Sequence, residues 1–207
     1  MSNITLRLAT SEDAEALSFI YKPYVEETAI SFEYTAPDKD EFSKRISEKL
    51  EKYPFIVAEY DEDVVGYAYC SEFLPRPAYI HSVESSVYVK RGMSGKGIGG
   101  LLCRALEDLL KMQNVLSVNA CIAVTDASDE TLNNNSMFFH SALGYRYVGR
   151  FNASGYKFGR FYDMIWMEKF ILKPHAPFPN FIPFPEIVDR ANKYLAEINS
   201  GYNKTVN

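Results

Sequence analysis

The segment Val83–Asn114 limits what this chain can fold into more than any other, because a strand pattern, a glycine-rich turn and a helix pattern follow one another directly. Apolar and polar residues alternate from Val83 to Val89, which predicts a strand with one face toward the core. Apolar residues then recur at helical spacing from Ile98 to Leu110, which predicts an amphipathic helix. The turn between them contains the glycines Gly92, Gly95, Gly97, Gly99 and Gly100.

A glycine-rich turn that leads from a strand into a helix favours anion binding. Residues without side chains let consecutive backbone N–H groups point into one concavity, and the helix N-terminus adds about half a positive charge. The turn is not a P-loop, because Lys96 is followed by Gly97 where a magnesium-binding hydroxyl is required. It also lacks the early glycine and the later acid that a dinucleotide site needs. A glycine turn that binds no ligand is the alternative.

Length and local composition predict one domain, 1–172, followed by an appendage, 173–207. The appendage is rich in proline and phenylalanine, with five of the ten prolines between Pro174 and Pro185. Proline favours an extended backbone, and a short helix pattern follows from Ile187 to Ile198. This C-terminal arm either packs over its own domain or crosses to a second subunit.

Composition argues against several classes of protein. The formal net charge is −5 with no basic block, so a nucleic-acid partner has little electrostatic support. No apolar run approaches the roughly 20 residues that a membrane span needs, and no secretory signal is visible. Cys70, Cys103 and Cys121 are odd in number and lie in apolar sequence, so buried free thiols in a reducing cytoplasm are expected. The cysteines and histidines lack metal-ligand spacing, so no metal is expected.

Further strand and helix patterns flank the central segment. Strands are predicted at Ile4–Leu8, Phe55–Ala58, Val64–Phe73, Val115–Val124, Tyr145–Phe151 and Phe161–Phe170, and helices at Ala14–Thr28, Asp38–Tyr53 and Asn133–Ala142. A turn is predicted at Ala153–Gly159. The order β-α-α-β-β-β-α-β-α-β-β predicts an α/β (α+β) fold, with a mixed, mostly antiparallel central sheet and helices on both faces.

Two motifs carry a resemblance to a known family. The loop Ser94–Gly99 is similar to the Arg/Gln-x-x-Gly-x-Gly/Ala loop of the GNAT superfamily of N-acetyltransferases, which grips the pyrophosphate of acetyl-coenzyme A. Ser94 departs from that pattern: serine has no long side-chain donor, but the backbone N–H groups of the loop remain. The stretch Asn133–Tyr145 resembles the second motif of the superfamily, most members of which have tyrosine at the position of His140. Histidine there, with Glu84 in YIHSVESSVYV, resembles the phosphinothricin N-acetyltransferase branch.

The resemblance extends to Arg76–Tyr79 and Gly155–Asp163 and covers roughly Ile4 to Phe170, so the arm lies outside it. It implies the GNAT fold, acetyl-coenzyme A as the cofactor and a small-molecule amine as the acceptor. The backbone of Val87 and Val89 would hold the pantetheine arm, and the Val87 N–H would polarise the thioester carbonyl. The implied cofactor-binding residues are Val87, Tyr88, Val89, Gly95, Lys96, Gly97, Ile98, Gly99, Gly100, Asn133 and Ser136.

Aminolysis of a thioester needs a neutral amine, a donor for the developing oxyanion and a proton for the leaving thiolate. Glu84 alternates away from the core face among apolar neighbours, so its pKa is expected to be raised. The resemblance implies that Glu84 deprotonates the amine, directly or through water. It implies that His140 either orients this network or assists proton transfer. An exposed strand glutamate and a structural histidine are the alternatives.

Phosphinothricin and methionine sulfone or sulfoximine are small amino acids with an extra anionic or polar head, so a cation is expected in the acceptor site. Arg76, Lys157 and Arg160 are the candidates. Phe32, Ser86 and Tyr88 match substrate-lining positions of the branch. The implied substrate-binding residues are therefore Phe32, Arg76, Ser86, Tyr88, Lys157 and Arg160.

The sequence thus predicts an N-acetyltransferase that acts on a small amino-acid-like amine by direct attack, since no cysteine has an evident activating partner. A protein or peptide N-terminal acetyltransferase is one alternative. A non-catalytic acyl-coenzyme A-binding module is another, which Ser94 favours and the presence of both Glu84 and His140 opposes. The aromatic arm and the aromatic-rich last strands predict a homodimer.

Overall fold

A seven-stranded sheet organises the chain, and helices cover both of its faces. The structure is a computed structural model that describes residues 4–205. Residues 1–3 and 206–207, where the predicted domain begins and the predicted arm ends, lie outside the described residues. The strands are β1 (Ile4–Leu8), β2 (Phe55–Tyr60), β3 (Asp63–Glu72), β4 (Ser82–Val89), β5 (Ser117–Val124), β6 (Arg146–Lys157) and β7 (Arg160–Phe170). The helices are α1 (Ala14–Glu26), α2 (Lys39–Leu50), α3 (Ile98–Met112), α4 (Asn135–Ala142) and α5 (Val188–Thr205).

The strand order is β1-β2-β3-β4-β5-β7-β6, and every neighbouring pair is antiparallel except β4 and β5. The predicted mixed, mostly antiparallel sheet is therefore confirmed. One apolar cluster lies under α3 and α5, and a second lies under α1 and α2. The amphipathic pattern explains the packing: Leu102 and Leu106 of α3 are buried, whereas Arg104 is exposed. No helix within residues 4–205 is long and apolar enough to cross a membrane.

Strands β4 and β5 separate in the middle of the sheet. Their pairing joins Ser82–Glu84 to Ser117–Asn119, while β4 continues to Val89 along β3. From Ser85 onward β4 therefore has no paired strand on its β5 side among the described residues. The backbone groups of such an edge are available to an added extended ligand.

The last hairpin differs from the predicted one. The predicted turn at Ala153–Gly159 is wrong, because β6 runs to Lys157 and the chain turns at Phe158–Gly159. Ala153 has a φ of +50° and lies where the β6–β7 register shifts. Its N–H donates to the carboxylate of Asp163 at 2.7 Å, which stabilises this irregularity without ending the strand.

Close packing explains the glycine that suggested an earlier turn. A Cβ atom at Gly155 would lie 2.4 Å from the ring of Phe32, so no side chain fits there. Phe32 belongs to the α1–α2 loop, residues 27–38, and the hydroxyl of Tyr34 in the same loop donates to the backbone oxygen of Tyr156 at 2.6 Å. The end of the β6–β7 hairpin therefore holds the α1–α2 loop in place.

The C-terminal arm packs over its own domain. The side-chain amide of the fully buried Gln113 donates to the backbone oxygens of Lys52 and Ile182, both at 2.8 Å. Phe184 then enters the core cluster under α3 and is 1% exposed. Since Leu195 of α5 joins the same cluster, the arm and the domain share one core.

A side chain, rather than a strand, closes the β1 edge of the sheet. The Oδ1 atom of Asn199 on α5 accepts from the N–H of Leu6 at 2.8 Å, and its Nδ2 donates to the carbonyl oxygen of Leu6 at 2.9 Å. A side-chain amide has the donor and acceptor of a peptide group, so Asn199 completes one rung of the ladder. Beyond β6, at the opposite edge, the described part of the chain places no further strand.

Candidate active site

The glycine turn leads from β4 into the N-terminus of α3. Gly92, Gly95 and Gly97 have φ angles of +82°, +79° and +79°, a left-handed conformation that residues with side chains rarely adopt. Gly97 is the N-cap of α3, so the first N–H groups of this 15-residue helix have no partners within the helix. The turn presents these donors together with the positive end of the helix dipole, which suits a phosphate.

A groove of about 610 Å³ is lined by this turn and by the open end of β4. The predicted cofactor residues in its lining are Val87, Tyr88, Val89, Gly95, Gly97, Ile98, Gly99, Gly100, Asn133 and Ser136. Lys96 points elsewhere, since its Nζ lies 4.8 Å from the centre of the Tyr60 ring. Phosphate donors at one end and a strand edge along the side fit an elongated molecule with phosphate and amide groups, such as coenzyme A. This space is the cofactor groove below.

A second space of about 400 Å³, the acceptor cavity below, lies beside the cofactor groove. The two share the lining residues Ile30, Val87, Tyr88 and Ser136, so they meet at the end of β4. The predicted catalytic and substrate residues in the lining of the acceptor cavity are Phe32, Glu84, Ser86, Tyr88 and His140.

Glu84 is the last residue of β4 that pairs with β5, and its side chain lines the acceptor cavity. Burial raises the pKa of its carboxyl, and the positive charge of Lys49 offsets part of that rise. The Nζ of Lys49 donates at 2.8 Å to Ser71, which lies directly opposite Glu84 on β3. A carboxylate with a raised pKa in a cavity is suited to accept a proton near neutral pH.

His140 of α4 is 5% exposed and lines the same cavity. Its Nδ1 lies 2.8 Å from the backbone oxygen of Ser136. Because a carbonyl oxygen only accepts, Nδ1 carries the proton and Nε2 keeps its lone pair. Burial lowers the pKa of the imidazole, which favours its neutral form near neutral pH. The ring of Tyr145 meets it edge-on at 5.1 Å between centroids, so the imidazole is fixed in orientation.

The three predicted substrate cations lie outside the lining of the acceptor cavity. Arg76 lines a separate cavity together with Glu72. Arg160 forms an ion pair with Asp129. Lys157 is 3% exposed and has its ammonium group among backbone oxygens. The structure therefore brings Glu84 and His140 together but does not bring these cations to them.

Lys157 acts on the acceptor cavity through the α1–α2 loop. Its Nζ donates to the backbone oxygens of Val25 at 2.6 Å, Thr28 at 2.9 Å and Ser31 at 2.6 Å. Burial lowers the pKa of this ammonium group. Val25 lies in the last turn of α1, so the lysine also satisfies a carbonyl at the end of that helix. Because residues 31–33 line the acceptor cavity, Lys157 fixes the position of part of its wall.

Sequence reasoning missed Glu33, a charged residue in the lining of the acceptor cavity. Arg45 of α2 donates to both carboxylate oxygens of Glu33, at 2.9 Å and 3.1 Å, and the hydroxyl of Tyr21 donates at 3.0 Å. A single glutamate in an apolar loop has no spacing that indicates a site. Its role depends on the fold that brings α2 against the loop.

Cys121 corrects the expectation that all three cysteines are buried, since its side chain is exposed in the acceptor cavity. Ala120 and Ile122 pack into the core under α3, so alternation turns Cys121 to the other face of the sheet. Desolvation and the charge of Glu84 raise the pKa of its thiol to about 12, which keeps the thiol protonated. Within residues 4–205, no group of three or more His, Cys, Asp or Glu side chains could hold a metal ion.

The chain is similar to known acetyltransferases. Residues 6–166 match the family model described as an acetyltransferase (GNAT) domain. A phosphinothricin N-acetyltransferase of Streptomyces coelicolor is 32% identical over 172 residues, which are 81% of this chain and 96% of the relative. An L-methionine sulfoximine/L-methionine sulfone acetyltransferase of Salmonella typhimurium is 29% identical over 84% of this chain and 98% of its own. The crystal structure of a GNAT superfamily phosphinothricin acetyltransferase from Sinorhizobium meliloti in complex with AcCoA is 30% identical, with a TM-score of 0.76 over 88% of this chain and 98% of that one.

Proposed function

The chain belongs to the GNAT acetyltransferase family and is an acetyl-coenzyme A-dependent N-acetyltransferase, and we propose that its acceptor is a small amino acid of the phosphinothricin or methionine sulfoximine type. One observation carries the proposal: the cofactor groove and the acceptor cavity meet at Val87 and Ser136, and Glu84 and His140 both line the cavity. Two spaces that meet beside a base support direct transfer from a donor to an acceptor held in place.

Glu84 is the proposed general base. Acetyl-coenzyme A, when bound, supplies the acetyl group as a thioester. An amino acid carries an ammonium group at neutral pH, and the carboxylate of Glu84 accepts a proton from it, so that the neutral amine can attack the thioester carbon. The C–S bond then breaks as the amide forms, and the proton that the nitrogen loses goes to the departing thiolate. The raised pKa of Glu84 suits this step, because a more basic carboxylate accepts the proton more readily. The backbone N–H of Val87, on the open part of β4, is the proposed donor to the developing charge on oxygen.

His140 is proposed to orient the amine or a water molecule rather than to act as an acid. Its Nδ1–H donates to the backbone oxygen of Ser136. Burial lowers the pKa of the ring, which favours the neutral form with a lone pair on Nε2. A lone pair in the cavity accepts a hydrogen bond and so points the donor toward Glu84.

The size and polarity of the acceptor cavity support a small polar acceptor. A volume of about 400 Å³ is near the lower end for ligand pockets and suits a molecule the size of an amino acid. Ser85, Ser86 and Tyr69 contribute hydroxyl groups to its lining, which can bind a polar head. A polypeptide acceptor would need a longer open groove.

Thiol release from acetyl-coenzyme A against a panel of amines tests the acceptor class. The panel contains phosphinothricin, methionine sulfone, ordinary amino acids, a polyamine and a peptide with a free N-terminus. We expect kcat/KM for the first two to exceed that for the peptide by at least about 10²-fold. An acceptor without the polar head leaves the hydrogen-bonding groups of the cavity unpaired, which lowers kcat/KM. Turnover of the peptide alone would replace the proposal by N-terminal acetylation. Cofactor binding without turnover of any amine would favour a non-catalytic module.

We also propose that the chain forms a homodimer through the β6 edge. Large exposed apolar side chains on β6, β7 and their turn are Tyr147, Val148, Phe151, Tyr156, Phe158, Phe161 and Phe170. An edge strand with such side chains is unfavourable in water, and a second copy offers the same surface about a two-fold axis. The arm is not needed for this contact, since it packs over its own domain.

A double substitution, Val148→Lys with Phe151→Lys, is expected to convert the dimer into a monomer, because charges on an edge strand oppose pairing. Light scattering after size exclusion measures the mass. The matched control is Phe19→Lys on α1, where the side chain is 66% exposed but lies outside the β6–β7 hairpin, and it should remain dimeric. A monomeric wild-type protein, or a dimeric double variant, would contradict this interface.

A further inference from the structure

The cofactor groove lacks a side-chain donor that its loop pattern leads one to expect. Ser94 stands where related loops have arginine or glutamine, and it lines the groove. Coenzyme A carries a pyrophosphate and a 3′-phosphate. Backbone N–H groups alone supply no full positive charge against these groups, whereas a guanidinium forms charge-assisted bidentate bonds to phosphate.

Four basic residues lie in and beside the glycine turn, between residues 90 and 104, and three of them are engaged away from the groove. These three contacts are Lys90 with the ring of Phe19, Arg91 with the carboxylate of Glu27, and Lys96 with the ring of Tyr60. The fourth is Arg104, which is exposed on α3. Among residues 4–201, the part of the chain whose side chains are described, its guanidinium forms neither an ion pair nor a hydrogen bond.

The guanidinium of Arg104 lies against Gly100, one helical turn nearer the groove. A Cβ atom at Gly100 would be 3.2 Å from its Nη1 and 3.6 Å from its Nη2, so the absence of a side chain there makes room for it. This direction follows from helix geometry, because side chains lean toward the helix N-terminus and cover the preceding turn. Gly100 itself lines the cofactor groove, so the free guanidinium is adjacent to the groove at its phosphate end.

We propose that Arg104 binds a phosphate group of coenzyme A and supplies the side-chain positive charge that Ser94 does not. The proposal rests on the use of acetyl-coenzyme A by this chain and not on the identity of the acceptor. The N-terminus of α3 accounts for the pyrophosphate. The 3′-phosphate is a compact dianion without backbone donors around it, so it is the better partner for a guanidinium.

Calorimetric titration of Arg104→Met with coenzyme A and with 3′-dephospho-coenzyme A tests the proposal without any turnover. The affinity for coenzyme A is expected to fall about tenfold or more, the usual effect of losing a hydrogen bond to a charged group. Lys111→Met is the matched control, since it removes one charge from α3 about 10 Å farther along the helix. The control should bind coenzyme A as the wild type does. Both variants should melt at nearly the wild-type temperature, because Arg104 is exposed and Lys111 forms only a partly exposed ion pair with Asp108.

The two ligands separate the phosphates. A loss confined to coenzyme A assigns Arg104 to the 3′-phosphate, and an equal loss for both ligands assigns it to the pyrophosphate; either result supports the proposal. Unchanged affinity for both ligands, or an equal loss in Lys111→Met, overturns it. Adding Ser94→Arg to Arg104→Met should restore part of the affinity for coenzyme A, and failure to do so would overturn the claim that Arg104 supplies the positive charge that Ser94 does not.

Discussion

Replacing Glu84 by glutamine is expected to lower kcat by about 10²- to 10⁴-fold, the usual contribution of a general base. The amide has nearly the same shape as the carboxylate but cannot accept the proton of the acceptor ammonium. The affinity for acetyl-coenzyme A should stay unchanged, because Glu84 lines the acceptor cavity and not the cofactor groove. Steady-state thiol release measures the first effect, and calorimetric titration measures the second.

The pH profile distinguishes a base from a structural glutamate. Burial raises the pKa of Glu84, so the wild-type kcat/KM should fall with decreasing pH at a value above that of an ordinary glutamate, because the protonated carboxyl cannot accept a proton. In Glu84→Gln this limb should vanish, and the residual rate should rise with pH as the free amine accumulates. Glu72→Gln, on β3 and paired with Lys52, is the matched control and should keep the wild-type kcat. Wild-type turnover in Glu84→Gln would remove Glu84 from the mechanism.

The second large effect is expected from Lys157→Met, which removes the ammonium group but keeps an unbranched side chain. The backbone oxygens of Val25, Thr28 and Ser31 would lose their donor. Each buried polar group left unsatisfied costs about 1–3 kcal/mol, so the free energy of unfolding should fall by about 3 kcal/mol or more. Because the α1–α2 loop lines the acceptor cavity, the KM of the acceptor should rise more than kcat falls. Urea denaturation and steady-state kinetics measure the two effects.

A second lysine, which pairs with a buried carboxylate, provides the control for Lys157→Met. Lys169 pairs with the buried Glu107 of α3 at 2.6 Å, and it does not contact the α1–α2 loop. Lys169→Met should therefore lower the free energy of unfolding and leave the KM of the acceptor unchanged. If both variants raised KM equally, general loosening of the fold would explain the result. An unchanged KM in Lys157→Met would show that Lys157 does not determine the shape of the cavity.

Local repetition made much of the fold predictable from the sequence. Alternation of apolar and polar residues predicted β4, and helical spacing of apolar residues predicted α3. The glycines between these elements occupy left-handed positions that other residues avoid. The two-sided sheet follows from the order of these elements. The meeting of Glu84 and His140 in one cavity was predictable only through resemblance, because the two residues are far apart in the sequence and no spacing rule joins them.

Contacts with backbone groups of distant segments were not predictable. Lys157 donates to three carbonyl groups, and every segment has carbonyl groups, so no residue pattern marks this partner. Gly155 was ambiguous for a related reason: glycine permits either a turn or a close approach, and only the position of Phe32 decides between them. The apolar sequence around Cys121 predicts a buried residue. Its exposure follows from the separation of β4 and β5, which the sequence of β5 alone does not indicate.

The two edges of the sheet are unequal, and this limits how the molecule can polymerise. Asn199 occupies the peptide groups of Leu6 in the middle of β1, so another chain cannot pair with the centre of that edge. Of the two outer strands of the described sheet, only β6 has an open edge. Copies with two open edges could add end to end without limit and grow into fibres, whereas copies with one open edge stop at a pair. The amide of a single asparagine thus terminates the growth of the sheet at the β1 end.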